Sequence, residues 1–485
     1  MRIAWAVLVS TLVLVAAGCG SDGVGAGQAN GAEVLKAGAL VYLETDSDPD
    51  SDQWKQVEEL LGRFPDGEKW IAELKKDVES EGDVSWEDDV KPALGDRTVG
   101  AVYARSTTDV SFVGMTNSKD PDKTVALVNK LNAADDGDDA VTRVVDDWVV
   151  ISDKETSIDT ALKAHGAPSL AEADGFKSAM AELPDDALSR VYFDPAAALE
   201  AFGGADANAA RALRMFGLDK LDFAGAWAKA RDDGAEIAGV VSGEGADKLL
   251  GSGEPYESKF LDQVPADAFA FYSIRGAGLA KQFEALRDNP LYEMVLQQFE
   301  QELGVSIADI VDLFRGEVAF FAAPGSPIPQ LTLLLESDDP AQSLQSAERL
   351  LRVLARRAGG DVVNEGSSTT AEFDGFKVHL GAVDNGVVLT TSLPALDELG
   401  GDGDKLADSD RFKQALDAAD TPDEYTGLLY TDLAEAVELA LGWAGAADED
   451  VPAEVARNLE PLRSLVVYGK QDGNLATSFL FLEIE

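Results

Sequence analysis

The chain has 485 residues and a formal net charge of -49, from 89 Asp+Glu against 40 Lys+Arg. That balance excludes phosphate-backbone recognition, which needs clustered Lys and Arg, so no nucleic acid partner is expected, and it argues against electrostatic coating of anionic lipid by the whole surface. Hydrophobic residues make up 45%, enough for a large core, while a single cysteine excludes an intrachain disulfide framework and Cys-rich metal sites.

The first predicted element is an address. Met1-Arg2 gives a positive start, and Ile3 to Ala17 is almost wholly apolar but too short for a comfortable membrane span. Val15-Ala16-Ala17-Gly18-Cys19 resembles the lipobox of bacterial lipoproteins, in which the cysteine is lipidated and becomes the first mature residue. Residues 1–18 are therefore read as a lipoprotein signal peptide and Cys19 as the lipidation site. Gly20 to Ala32 is Gly-rich with little to bury, which predicts a flexible tether over 19–36.

The body reads as one pattern written twice, over 37–245 and 258–485, with a Gly-rich, Pro-bearing linker at 246–257. In the first copy, Ala39 to Glu44 reads as an opening strand. Trp54, Val57, Leu60, Leu61 and Phe64 recur at helical spacing, as do Trp70, Ile71, Leu74 and Val78. Asp120-Pro121 and Asp339-Pro340 predict helix starts, with Asp as cap and Pro in the first turn. Asp146-Asp147 separates two apolar runs as a hairpin, and Asn385-Gly386 predicts a tight hairpin turn with positive φ. Leu170 to Ala179, with Phe176-Lys177, is echoed by Leu406 to Ala415, with Phe412-Lys413; Tyr192-Phe193-Asp194 is echoed by Tyr430-Thr431-Asp432. Each copy closes on a hairpin, at Asp233-Gly234 and at Asp472-Gly473. This order of strands and helices predicts an α+β fold, two tandem copies of a mainly antiparallel sheet packed on helices, rather than a doubly wound parallel sheet.

The tandem layout, the Phe-Lys segments and Val264-Pro265-Ala266-Asp267-Ala268 resemble a bacterial envelope family catalogued as domain of unknown function 3352. The resemblance implies an exported or lipid-anchored protein and carries no catalytic residues.

Candidate chemistry is sparse. Asp46, Asp48, Asp50 and Asp52 place a carboxylate at every second position, the spacing of a calcium loop. An EF-hand would need Gly and Glu where Ser51 and Val57 stand; the alternative is a solvated acidic turn before the helix near Gln53. Asp135-Asp136-Gly137-Asp138-Asp139 and Gly401-Asp402-Gly403-Asp404 are weaker versions. Among acids, Asp174 and Asp410, and Asp194 and Asp432, are singled out by the internal echo, and their places before helices predict capping. His165 falls in a loop and His379 in a strand, neither beside a Ser or Cys elbow motif. No cofactor is expected. The sequence predicts a non-enzymatic protein at the outer face of the cell membrane or in the envelope, lipid-anchored, with a binding or structural role. The alternatives are a carrier of an apolar ligand held between sheet and helices, and a carboxylate- or calcium-dependent hydrolase.

Overall fold

Alternating burial builds the strands. In β1 (Val41–Asp46) Tyr42 and Glu44 turn to a covered face, while Val41 and Leu43 remain half-buried on the other. The computed structural model describes residues 31–485 apart from 81, 107, 135–138, 204–210, 212, 215–216, 247–252, 279–295, 297–299, 302–305, 326–328, 366–367, 374–375, 400 and 447–449. The signal segment, Cys19 and residues 135, 136 and 138 lie outside the described residues.

The chain divides into two compact units, one of Met1–Leu249, Ala453–Pro461 and Gly473–Glu485, the other of Leu250–Pro452 and Leu462–Asp472. The first unit runs β1, α1 (Asp52–Gly62), α2 (Gly67–Ser80), β2 (Gly95–Ala104), β3 (Val110–Ser118), α3 (Pro121–Ala134), β4 (Val141–Val145) and β5 (Trp148–Ser152). It continues through α4 (Glu155–Ala161), α5 (Asp174–Glu182), β6 (Ser189–Phe193), α6 (Pro195–Gly203), β7 (Leu221–Arg231) and β8 (Gly234–Gly243). Its ladders are all antiparallel, in the order β4-β5-β3-β2-β1-β6-β7-β8.

The second unit contains β9 (Ala270–Arg275), α7 (Ile307–Leu313), β10 (Glu317–Ala323), β11 (Gln330–Glu336) and α8 (Pro340–Arg357). It goes on with β12 (Asp361–Glu365), β13 (Ser368–Phe373), β14 (Phe376–Val383), β15 (Gly386–Thr390), α9 (Leu393–Leu399), α10 (Asp410–Ala418), β16 (Gly427–Asp432), α11 (Leu433–Ala446) and β17 (Leu462–Asp472). Its antiparallel order is β12-β13-β14-β15-β11-β10-β9-β16-β17. Removing the β12–β13 hairpin leaves the order of the first unit up to β7, with β8 alone lacking a counterpart inside the second unit. The fold is thus α+β, with two tandem copies of an antiparallel sheet packed on helices.

The last segments depart from the expected bounds. α12 (Ala453–Leu459) and β18 (Leu475–Ile484) belong to the first unit, not to a second copy running to 485. β18 adds to β8, from Leu475 opposite Ser242 to Glu483 opposite Gly234. Asn458 accepts the Asp66 N–H at 3.1 Å, and Lys69 pairs with Glu454 at 2.9 Å. β8 would otherwise be an unpaired sheet edge, which explains the recruitment.

Two further expectations are corrected. Residues 31–36 are packed body rather than tether: Ala32 and Leu35 are fully buried, and Leu35 and Lys36 bridge Leu162 and Ser169. At the linker, where 247–252 lie outside the described residues, Tyr256 is already bound to the second unit. It exchanges backbone hydrogen bonds with Tyr425 at 3.0 and 3.1 Å.

The first core gathers Tyr42, Met115, Trp148, Phe176, Tyr192 and Val240 on one sheet face. On the other face α3 buries Val128 against Val149 and Ile151. Phe176 meets Tyr42 and Tyr192 edge-on, at 5.0 and 5.2 Å between ring centroids. Phe412 stands in the same place in the second unit, edge-on to Tyr430 at 4.9 Å. The β14–β15 turn is Asp384-Asn385 rather than Asn385-Gly386, since Val383 pairs with Gly386. Gly386 is needed for a different reason: a Cβ there would lie 1.9 Å from the Leu335 carbonyl of β11.

Candidate functional site

Each unit buries a hydrogen-bonded glutamate in the central strands of its sheet, at neighbouring but different positions. Register makes this explicit. Tyr42 lies opposite Tyr192 and Ala101, and Phe271 lies opposite Tyr430 and Phe321, so Ser273 stands where Glu44 does and Glu317 stands where Arg97 does.

In the first unit Glu44 of β1 is 6% exposed. Its Oε1 takes Arg97 Nη1 at 2.8 Å and Arg190 Nη2 at 3.0 Å, and its Oε2 accepts the Tyr42 hydroxyl at 2.8 Å. Burial pulls the Arg190 guanidinium down, but Glu44 and Asp185 outweigh it and hold the group above its ordinary value. Burial, with Glu44 beside it, raises the Tyr42 hydroxyl well above the usual range, so it stays protonated and donating.

In the second unit Glu317 of β10 is 1% exposed. It accepts the Ser258 hydroxyl, the Ser273 hydroxyl at 2.7 Å and the Lys259 N–H at 2.8 Å. Tyr256 and Ser273 share a hydroxyl hydrogen bond at 2.6 Å. Glu317 N–H donates to Glu336 at 2.8 Å, and Glu336 also pairs with Lys259 Nζ. Burial raises Glu317 above the usual carboxylate range even though three donors oppose it.

Both hubs tie strands together. In each, the carboxylate accepts three hydrogen bonds from groups of its own unit, and Ser258, Ser273 and Tyr256 are themselves buried. Neither hub was legible in the sequence, because the three residues that bind Glu44 come from three strands and only their pairing joins them.

The acidic loop does not assemble a cation cage. Asp46 accepts the Asp48 N–H at 3.1 Å and the Ser51 hydroxyl at 2.8 Å, and Asp48 accepts the Asp50 N–H at 2.9 Å. The protein's own cations serve the rest: Lys91 lies 3.6 Å from Asp50, Lys55 3.5 Å from Asp52 and Lys119 4.0 Å from Asp48. Among the described residues no group of three or more His, Cys, Asp or Glu side chains is placed to hold a metal. The period-two spacing is spent on an Asx-type turn that leads β1 into α1.

Burial nevertheless raises Asp46 from its ordinary value of 3.8 to about 6, against the Ser51 and Asp48 hydrogen bonds. Its charged form is disfavoured in the fold. The stability this group contributes is therefore complete below about pH 4 and lost as pH rises through about 6, on the order of 2 kcal/mol. Thermal melts from pH 4 to 7 should show this fall, and Asp46→Asn should flatten it; an unchanged slope in the variant would remove the assignment.

The other predicted residues are dispersed. Asp194 caps α6 by accepting the Ala197 N–H at 3.0 Å, and Asp432 caps α11 by accepting the Glu435 N–H at 3.0 Å. Asp174 and Asp410 are first helical residues behind Ala173 and Ser409, so they meet the positive helix end without capping it. Asp339 caps α8 through the Gln342 N–H at 3.0 Å, whereas Asp120 contributes its backbone, with its carbonyl accepting the Lys123 N–H and its N–H donating to the Ser118 hydroxyl. His379 is buried, with Nδ1 2.9 Å from the Thr370 hydroxyl, and His165 is exposed. His165 lines an open recess of about 710 Å³ with Val34, Leu162, Lys163, Pro168 and Glu172. Asp402 and Asp404 are exposed. Among the described residues no helix is long and apolar enough to cross a membrane.

These features define a two-copy α+β protein whose units each bury a hydrogen-bonded carboxylate. The chain belongs to the family described as protein of unknown function DUF3352, whose model matches residues 3–482. No curated protein matches it. Crystal forms I and IV of TP0453 are each similar at 14% identity and a TM-score of 0.25, over 46% of this chain and 78% and 81% of theirs. Crystal form III matches at 13% and 0.24, over 47% of this chain and 93% of its own.

Proposed function

We propose that the chain is a lipid-anchored extracytoplasmic protein with a non-enzymatic binding or surface-building role. The observation that carries the anchoring is Val15-Ala16-Ala17-Gly18-Cys19, the chain's single cysteine at the end of a short apolar run. The packed body begins by Gly31, so the 12 residues from Cys19 allow at most ~40 Å between a lipid and the first buried side chains. The non-enzymatic part is supported by how the buried acids are used: Glu44 and Glu317 are consumed by hydrogen bonds within their own units.

Metabolic labelling with a fatty-acid analogue tests the anchor. Wild type should label and pellet with membranes, and Cys19→Ser should do neither. Equal labelling of the two would overturn the reading.

A further inference from the structure

The first sheet leaves one edge open, and the second copy shows what such an edge receives. β4 pairs with β5 alone. Val145 and Val383 both precede two-residue turns, since Val145 lies opposite Trp148 and Val383 opposite Gly386. Thr142 therefore stands where Leu380 does, and Ala140 where Val378 does. In the second unit both places are taken by β13, with Thr369 opposite Leu380 and Ala371 opposite Val378. In the first unit Asn132 of α3 takes the place at Ala140: its side chain accepts the Ala140 N–H at 2.9 Å and donates to the Ala140 carbonyl at 2.8 Å. A side-chain amide thus does for Ala140 what a strand does for Val378.

Beyond Ala140 the edge continues uncovered. Antiparallel ladders alternate, so Val141, Arg143 and Val145 bond β5 while the N–H and C=O of Thr142 and Val144 point outward. Among the described residues these four groups have no hydrogen-bond partner. Val144 is 52% exposed. Acids bracket this stretch: Asp139 before it, Asp146 and Asp147 after it, all exposed and without an ion pair among the described residues. Val145 and Asp146 also wall the recess that His165 lines.

We propose that the β4 edge receives an extended segment of a basic partner polypeptide, laid antiparallel as β13 is on β14. Outward N–H and C=O groups at alternate residues fit a peptide backbone and not an acyl chain, which offers neither donor nor acceptor. The acids at the two ends select Lys or Arg in the partner there, and the Val and Thr residues between them select β-branched partners. A second copy fits poorly. The register that bonds Thr142 to Val144 of another copy sets Arg143 opposite Arg143 and Asp139 opposite Asp147, and like charges directly opposite destabilise a ladder. The proposal names a partner class for the binding role given above and rests on that reading for the role itself.

The probe is the labelled peptide Lys-Lys-Val-Thr-Val-Thr-Val-Thr-Lys, whose lysines fall opposite Asp147, Asp146 and Asp139. Fluorescence anisotropy follows its binding to the full chain as wild type, as Val144→Pro, and as Asp139→Asn/Asp146→Asn/Asp147→Asn. Proline at this position removes an outward N–H and none that β5 uses, and an edge strand tolerates it. It should weaken binding by about tenfold or more, as should N-methylation of the two peptide threonines opposite Val144 and Thr142. The triple Asn variant keeps the edge and should lose about tenfold, with added salt acting in the same direction. Asn suits the positive φ of Asp146, and unchanged melting curves would establish that each variant is folded.

A wild type that does not bind the peptide, or a Val144→Pro variant that binds it equally, overturns the proposal. So does a wild-type dimer that Val144→Pro abolishes without any peptide binding; that result would assign the edge to a second copy. Equal binding of a peptide with Asp in place of each Lys overturns the basic partner. N-methylation leaves the protein untouched, so the backbone pairing is tested even where a variant fails to fold. Fatty-acid labelling at Cys19 is read without the peptide, so the anchor and this edge fail separately.

Discussion

Ending the chain after Asp472 is expected to unfold the first unit while leaving the second largely intact. The deletion removes β18, whose partner β8 lies more than 200 residues earlier in sequence. Phe481 is 1% exposed, Ala476 fully buried and Ile484 7% exposed. Trp227 packs edge-on against Phe479 at 5.6 Å, and the Arg231 guanidinium sits 4.6 Å over the Phe481 ring. Losing Phe481 alone is worth about 3–5 kcal/mol, a large part of the 5–15 kcal/mol that usually holds a domain together. The deletion also bares β8 as a long edge open to aggregation. Tryptophan fluorescence reads mainly the first unit, which holds Trp54, Trp70, Trp86, Trp148 and Trp227, and Trp443→Phe removes the contribution of the second. A urea melt by fluorescence should lose its native baseline in the truncated chain, and Phe481→Ala should shift the midpoint down. If truncation leaves the fluorescence transition where it was, β18 is dispensable and the discontinuous unit is wrong.

Phe176→Ala should destabilise the first unit more than Phe412→Ala destabilises the second. Both rings are almost fully buried, at 1% and 2% exposure, and either truncation should cost about 3–5 kcal/mol from lost burial and the cavity left behind. Phe176 loses two edge-on partners, Tyr42 and Tyr192, where Phe412 loses Tyr430. An aromatic pair is worth about 0.5–1.5 kcal/mol beyond its area, so the first variant should be worse by about 1 kcal/mol. The fluorescence transition reports the first unit, and hydrogen exchange of β16 amides reports the second. Equal losses would mean that the Tyr42 contact contributes only area.

The Phe-Lys echoes were readable because each Phe is held by its own helix and a nearby strand, a short-range pattern that survives in the chain order. Asp194 and Asp432 were readable as caps for the same reason: a carboxylate and the N–H three residues on are local partners. The alternating carboxylates of Asp46–Asp52 did not reveal their partners, because alternation along the chain says nothing about where each carboxylate finds a donor. Here Ser51, backbone amides and three lysines answered first.

The sequence by itself determined the class, the two-copy plan, the single cysteine after a short apolar run and the overall acidity. Those follow from local periodicity, local echo and composition. Only the tertiary structure decided that β18 returns to the first unit, that Glu44 and Glu317 are each buried among donors of their own unit, and that Leu351 and Ala355 give the inner face of α8. Each of these depends on which strands pair and on which helix face the core takes. A sheet edge accepts any strand of matching length and pattern, and a buried carboxylate accepts donors from whichever strands adjoin it. Such choices are made by the whole packed chain, and no short window of residues contains them.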